Sequence, residues 1–220
     1  YQRTHSWTEK ECRQLWNDIV RTGNDDAVLV HFVGSIVYIK GLAPLTKPEP
    51  MLVIDGQQRL TTVTLLIAAL AKAIGDTELV DGFSLKKLRN YYLLNPEEEG
   101  ERHYKLLLSQ TDKDSLIAIV GNNDLPREPS LRVTENFALF EEWITGCKGD
   151  LAGVCKGLAK LMVVDIALNR DQDNPQLIFE SMNSTGRELS QADLIRNFIL
   201  MGLKPQMQTR LYEQFWRPME

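Results

Sequence analysis

The chain has 220 residues, 43% of them hydrophobic and 25% charged, and carries a formal net charge of −5. That balance suits one large folded domain, or a domain with a helical extension. It excludes a disordered chain and a chain-wide basic surface for nucleic acid, while leaving room for a focal DNA contact.

Cys12, Cys147 and Cys155 form no CxxC pair, and His5, His31 and His103 lack the spacing of a histidine metal site. Reduced thiols and a cytoplasmic protein are therefore expected. The longest apolar stretch, around residues 60–74, is too short and too rich in threonine to cross a bilayer, so no membrane partner is expected. The chain starts at Tyr1 rather than methionine and reads as an excerpt of a longer polypeptide.

In chain order, Thr8 and Glu11 make a capping box, and Cys12, Leu15, Trp16, Ile19 and Val20 recur on one face, which predicts an amphipathic helix over 8–21. Gly23-Asn24-Asp25-Asp26 ends it. Residues 28–39 are β-branched and aromatic, a strand bent or bulged at Gly34. Pro44, Pro48 and Pro50 mark a loop. Residues 51–54 read as a short strand buried on both faces, followed by an Asp-Gly turn and a helix over 59–74 that is apolar on most sides and so packs inside a domain.

Helical patterns follow over 85–94, 115–120 and 131–144, separated by polar loops, with a strand-like run at 104–108. Residues 161–168 read as a core strand returning to the first sheet. Beyond it, Asn174 caps a helix that has Pro175 at its first position, Ser190 and Asp193 cap another, and a last helix follows Pro205. The expected architecture is mixed, helix-rich α/β. A core over 1–78 is rejoined by 158–170, a helical insertion occupies 79–157, and a helical extension occupies 171–220.

Two segments carry chemistry. Val53-Ile54-Asp55-Gly56-Gln57-Gln58-Arg59-Leu60-Thr61-Thr62 is a strand that breaks at Asp-Gly and restarts as a helix with arginine in its first turn. Helix starts expose amides without internal partners and carry partial positive charge, glycine admits a ligand close to the backbone, and a guanidinium matches phosphate bidentately. Thr61 and Thr62 offer further oxygens. The same residues also fit a plain turn, with Asp55 bonding the turn backbone and Arg59 solvated. The second segment is Phe179-Glu180-x-x-Asn183-x-x-Gly186-x-x-Leu189-x-x-x-Asp193-Leu194-Ile195-Arg196-Asn197. Capping accounts for Gly186 and Asp193 but not for Asn183, Arg196 and Asn197. Arg196 faces either an anion or a surface salt-bridge partner.

With Tyr1-Gln2-Arg3, Trp7 and Phe32-Val33-Gly34-Ser35-Ile36-Val37, these segments resemble the DGQQR-motif N-terminal domain of GmrSD-like, modification-dependent (type IV) restriction and phage-defence proteins. The likeness runs from Tyr1 to about Met201 and is weakest over 79–157. It implies a ParB/sulfiredoxin-like core with a helical extension that binds and hydrolyses a nucleoside triphosphate, with Mg²⁺ or another divalent cation, to control an HNH-type nuclease acting on modified foreign DNA. The nuclease would lie in the same chain or in a separate subunit.

Carried onto this sequence, Asp55, Gly56, Gln57, Gln58 and Arg59 form the phosphate site. Tyr1, Gln2 and Arg3 lie against it, and Asn183, Gly186, Asp193, Arg196 and Asn197 complete or support it. Arg59 and the helix-start amides hold the phosphates. Asp55 binds the metal through water or orients the attacking water, with Gln57 or Gln58 as the alternative orienter. A nucleotide-controlled switch without hydrolysis, or a module for DNA phosphates, are the rival readings. Two departures stand out. His5 replaces the usual aromatic, and no HNH-type cluster follows Trp216, so these residues alone are not expected to cut DNA.

Overall fold

A computed structural model describes residues 4–40 and 50–168, except 77, 81, 148 and 149, together with positions 207, 210, 211 and 214. Among them are six α-helices and three strands. Helix α1, Glu9–Gly23, starts where the capping box places it, with Glu11 Oε2 accepting from the Thr8 amide at 2.8 Å. Strand β1 spans His31–Ile39, β2 spans Leu52–Asp55, and α2 spans Gln57–Ala73. Then come α3 (Leu85–Leu88) with a π-helical turn over Arg89–Leu93, a 3₁₀ turn over Gly100–His103, α4 (Gln110–Gly121), α5 (Leu131–Gly146), α6 (Ala152–Ala159) and β3 (Leu161–Leu168).

The strands form one sheet in the order β2-β1-β3. β1 and β2 run antiparallel, Val37 opposite Asp55, Tyr38 opposite Val53 and Ile39 opposite Leu52, with an irregularity between Val37 and Tyr38. Gly34, where a bend was expected, has φ +114°. At the other end of β1, the His31 amide donates to the Lys160 carbonyl just before β3.

The chain divides into two compact units. Among the described residues, one comprises those within 4–36 and 56–165, and the other 37–40, 50–55 and 166–168 with positions 207, 210, 211 and 214. The larger holds a helical core in which α2 packs on α5 and α1 on α6. Ile19, Leu65, Leu66, Leu70, Val133 and Phe140 are buried there. The helices between 79 and 157 thus share a single core with α1 and α2. α1 and α6 meet backbone to backbone: a Cβ on Gly157 would lie 2.0 Å from the Ile19 carbonyl oxygen. The smaller unit has its own cluster of Val37, Ile39, Ile54 and Leu168, joined by Leu52 and Ile166.

Several expectations are corrected. The helix over 85–94 is α-helical only to Leu88. An α-helix would turn positions 91 and 92 onto the face of Leu88, but those are tyrosines, 64% and 51% exposed. The wider turn, closed by the Leu94 amide on the Arg89 carbonyl, brings Leu93 inward instead. Residues 104–108 are not a strand: Tyr104 forms one bridge with Leu94, while Leu106 and Leu108 pack on the helical core. β3 has the expected bounds and returns to the first sheet as expected, with Ile166 and Leu168 at its end reaching a core, but it is not a core strand along its length. It is last in the strand order, and Met162, Val163 and Val164 are 43–46% exposed. Within β2, only Ile54 is buried. Helix α6 was not anticipated. Among the described residues no helix is long and apolar enough to cross a membrane.

Candidate functional site

The turn between β2 and α2 needs glycine. Gly56 sits at the N-cap of α2 with φ +90°, a left-handed conformation, and a Cβ there would lie 2.9 Å from the Ser35 carbonyl oxygen and 3.1 Å from Ile36 Cγ1. The helix therefore begins on a residue without a side-chain cap, and no acidic residue stands in its first turn. A first turn normally gathers aspartate or glutamate against the positive pole of the helix. Here it carries Arg59.

The arginine is held in place. Arg59 Nη1 donates to the Ser35 carbonyl, and the guanidinium lies against Gly34, where a Cβ would come within 2.7 Å of Cζ. One of five donors is used on Ser35. Gly34 and Gly56 each remove a side chain where another group must come close: one seats the guanidinium, the other lets the turn approach β1.

The neighbours of Arg59 are engaged in different ways. Gln58 Oε1 accepts from the amides of Ser6 and Trp7 at 2.8 and 3.3 Å, and Gln58 Nε2 donates to the Thr4 carbonyl at 3.2 Å. Thr61 and Thr62 are buried, and each donates its hydroxyl to the carbonyl four residues earlier, of Gln57 and Gln58, at 2.9 Å. Asp55 ends β2 in the smaller unit, paired with Val37. Trp7 packs on the helical core. Tyr1, Gln2, Arg3, Asn183, Gly186, Asp193, Arg196 and Asn197 lie outside the described residues.

A buried polar cluster that sequence reasoning missed surrounds the segment Thr4–Trp7. The His5 amide donates to Asp112 Oδ2 at 2.5 Å, and Asn136 Nδ2 donates to His5 Nε2 at 2.8 Å and to the Trp7 carbonyl at 2.9 Å. His5, Asp112 and Asn136 are all buried. With Nε2 accepting, the neutral ring carries its proton on Nδ1, which is buried without a partner among the described residues. Burial pushes the imidazole down to about 4, against the opposing pull of the Asp112 carboxylate and Gln58. Protonating Nε2 would also set two donors face to face. One signal was available in the sequence: Asn136 stands at helical spacing from Val133 and Phe140, an amide on an apolar stripe.

Cys12, Cys147 and Cys155 are free thiols, and burial raises all three, Cys12 to about 12 and Cys155 to about 11. Their thiolate forms are suppressed, which makes them poor nucleophiles. Among the described residues no group of three or more histidine, cysteine or acidic side chains is placed to hold a metal ion.

No curated protein matches the chain. Residues 1–200 match the family described as GmrSD restriction endonuclease, N-terminal domain. That match covers both glycine positions of β1 and α2, the clasped N-terminal segment and the second motif, and the chain belongs to the GmrSD N-terminal domain family of restriction endonucleases.

Proposed function

We propose that this domain binds a nucleoside triphosphate at the start of α2 and hydrolyses it to regulate or drive an HNH-type nuclease, in the same chain or a separate subunit, directed at modified DNA. The reading takes the α/β part as ParB/sulfiredoxin-like. Its main support is Arg59: a cation fixed by Gly34 and Ser35 in the first turn of a helix that has neither an acidic residue nor a side-chain cap. A positive charge at that pole opposes the helix dipole by about 0.3–1 kcal/mol, and a bound polyphosphate reverses the sign of the interaction.

In this account the first-turn amides and Arg59 grip the phosphates and stabilise the charge that develops as the terminal phosphoryl group leaves. Asp55, one residue before the turn, holds a divalent cation through water or orients the attacking water, with Gln57 as the other candidate orienter. A single carboxylate suits Mg²⁺, which keeps most of its waters and takes the rest of its shell from phosphate oxygens. When bound, the ion would neutralise charge on the phosphates. Tyr1, Gln2, Arg3, Asn183, Gly186, Arg196 and Asn197 are proposed to reach the nucleotide, with Trp7 and Asp193 in support. Thr61 and Thr62 bear on the site through the first turn of α2, whose carbonyls they bond.

Phosphate release by the purified chain with Mg²⁺ and each nucleoside triphosphate tests this directly. Release that disappears in Arg59→Ala supports hydrolysis. Saturable binding without release identifies a switch, and triphosphate displaced by DNA in a salt-dependent manner identifies a DNA-phosphate site.

A further inference from the structure

We infer that Gln58 is a positioning residue and not a ligand of the nucleotide: its carboxamide clasps the segment Thr4–Trp7 beside the first turn of α2, so that this segment forms a fixed wall of the site. The inference rests on the function proposed above.

The clasp is complementary in every hydrogen bond. The carbonyl oxygen of the amide has two lone pairs and receives two successive backbone donors, Ser6 and Trp7, while the amide nitrogen returns a bond to the Thr4 carbonyl. Both halves of the functional group are thereby engaged: the two lone pairs of the oxygen are filled by Ser6 and Trp7, and one N–H of the nitrogen is spent on Thr4.

Two other helices hold the same segment from different directions. Asp112 of α4 takes the His5 amide, and Asn136 of α5 takes His5 Nε2 and the Trp7 carbonyl. Three side chains, drawn from positions 58, 112 and 136, thus converge on four residues. Of these three anchors only Gln58 belongs to the turn that carries Arg59. Asp112 and Asn136 fasten the segment to the core, whereas Gln58 fastens it to the candidate site.

Replacing an amide that clasps backbone differs in its consequences from removing a phosphate ligand. Gln58→Met keeps the length and loses all three bonds. Gln58→Glu keeps the two that need an acceptor and loses the donor to Thr4. Ser6→Pro removes one donor from the other side of the clasp without touching Gln58.

Amide hydrogen exchange on the full chain gives the first readout. In Gln58→Met, protection of the Ser6 and Trp7 amides should fall at least about tenfold while the amides in the middle of α2 keep theirs, and Gln58→Glu should recover much of it. Equilibrium titration with a nucleoside triphosphate and Mg²⁺ gives the second. Gln58→Met and Ser6→Pro should each weaken binding by a similar factor, and the double variant should be no weaker than the worse single one. Multiplying losses in the double variant, or weakened binding in Gln58→Met with Ser6 and Trp7 still protected, would mean that Gln58 touches the nucleotide and would overturn the assignment. Should Ser6→Pro fail to fold, the comparison of Gln58→Met with Gln58→Glu decides by itself. A parent chain that binds no nucleotide refutes the function proposed above, and the exchange result then judges the clasp alone.

Discussion

Arg59 can lie across β1 only because position 34 has no side chain. A methyl group there would stand 2.7 Å from Cζ and 2.8 Å from Nη1, and the backbone φ of +114° is itself unfavourable for alanine. Gly34→Ala should therefore lift the guanidinium off its seat. We expect weaker nucleotide binding at little cost to the helical core, checked by titrating nucleotide and comparing thermal unfolding with the parent. Equal affinity in the variant would show that the seat is unimportant.

His5 makes a prediction about acid. Its ring is 4% exposed and its ionisation lies at about 4 instead of 6.5, because burial disfavours the charged form. Between those values the unfolded chain binds a proton that the folded chain does not. Stability contributed by the neutral ring is thus intact above pH 6.5 and is lost as pH falls toward 4, by about 3 kcal/mol in total. Denaturant midpoints measured from pH 7 to pH 4 should fall less steeply in His5→Gln than in the parent. Parallel pH profiles would mean that the ring is not held neutral.

Helices carry the second scale. The close approach of α1 and α6 depends on Gly157 and Gly23, whose added Cβ atoms would lie 2.0 Å from the Ile19 carbonyl oxygen and 1.8 Å from the Gly153 carbonyl oxygen. Backbone cannot yield as a long side chain can. Gly157→Ala should cost about 1–3 kcal/mol through forced separation, despite alanine's better helix propensity, and lower the melting temperature by about 2–12 °C. An unchanged or raised melting temperature would contradict the backbone contact.

How far each element could be read from sequence follows from what fixes it. Helices α1, α2 and α5 were legible because their signals are local: a capping box, a glycine turn, and apolar residues at helical spacing. β3 had legible bounds, but its exposure depends on which strand lies beside it, and strand order is not written in one segment. The π turn after Leu88 and the loose run at 104–108 were set by contacts with a core assembled from distant helices. The site divides in the same way. Gly56 and Arg59 announce themselves in ten residues. The occupation of Gln58 by Thr4, Ser6 and Trp7 spans more than fifty positions and had no local sign.

For the molecule as a whole, a net charge of −5 argues against a chain-wide basic surface for DNA. Family membership supplies the restriction context, and the start of α2 supplies the chemistry argued for it.

Calorimetric titration of the chain with a nucleoside triphosphate and Mg²⁺, repeated on Arg59→Ala, probes the core of this account most directly. The parent should bind saturably, and the variant, having lost charge-assisted bonds worth about 1.5–3 kcal/mol each, should bind about tenfold or more weakly. Parent and variant binding alike, or a folded parent that takes up no triphosphate at all, would contradict it.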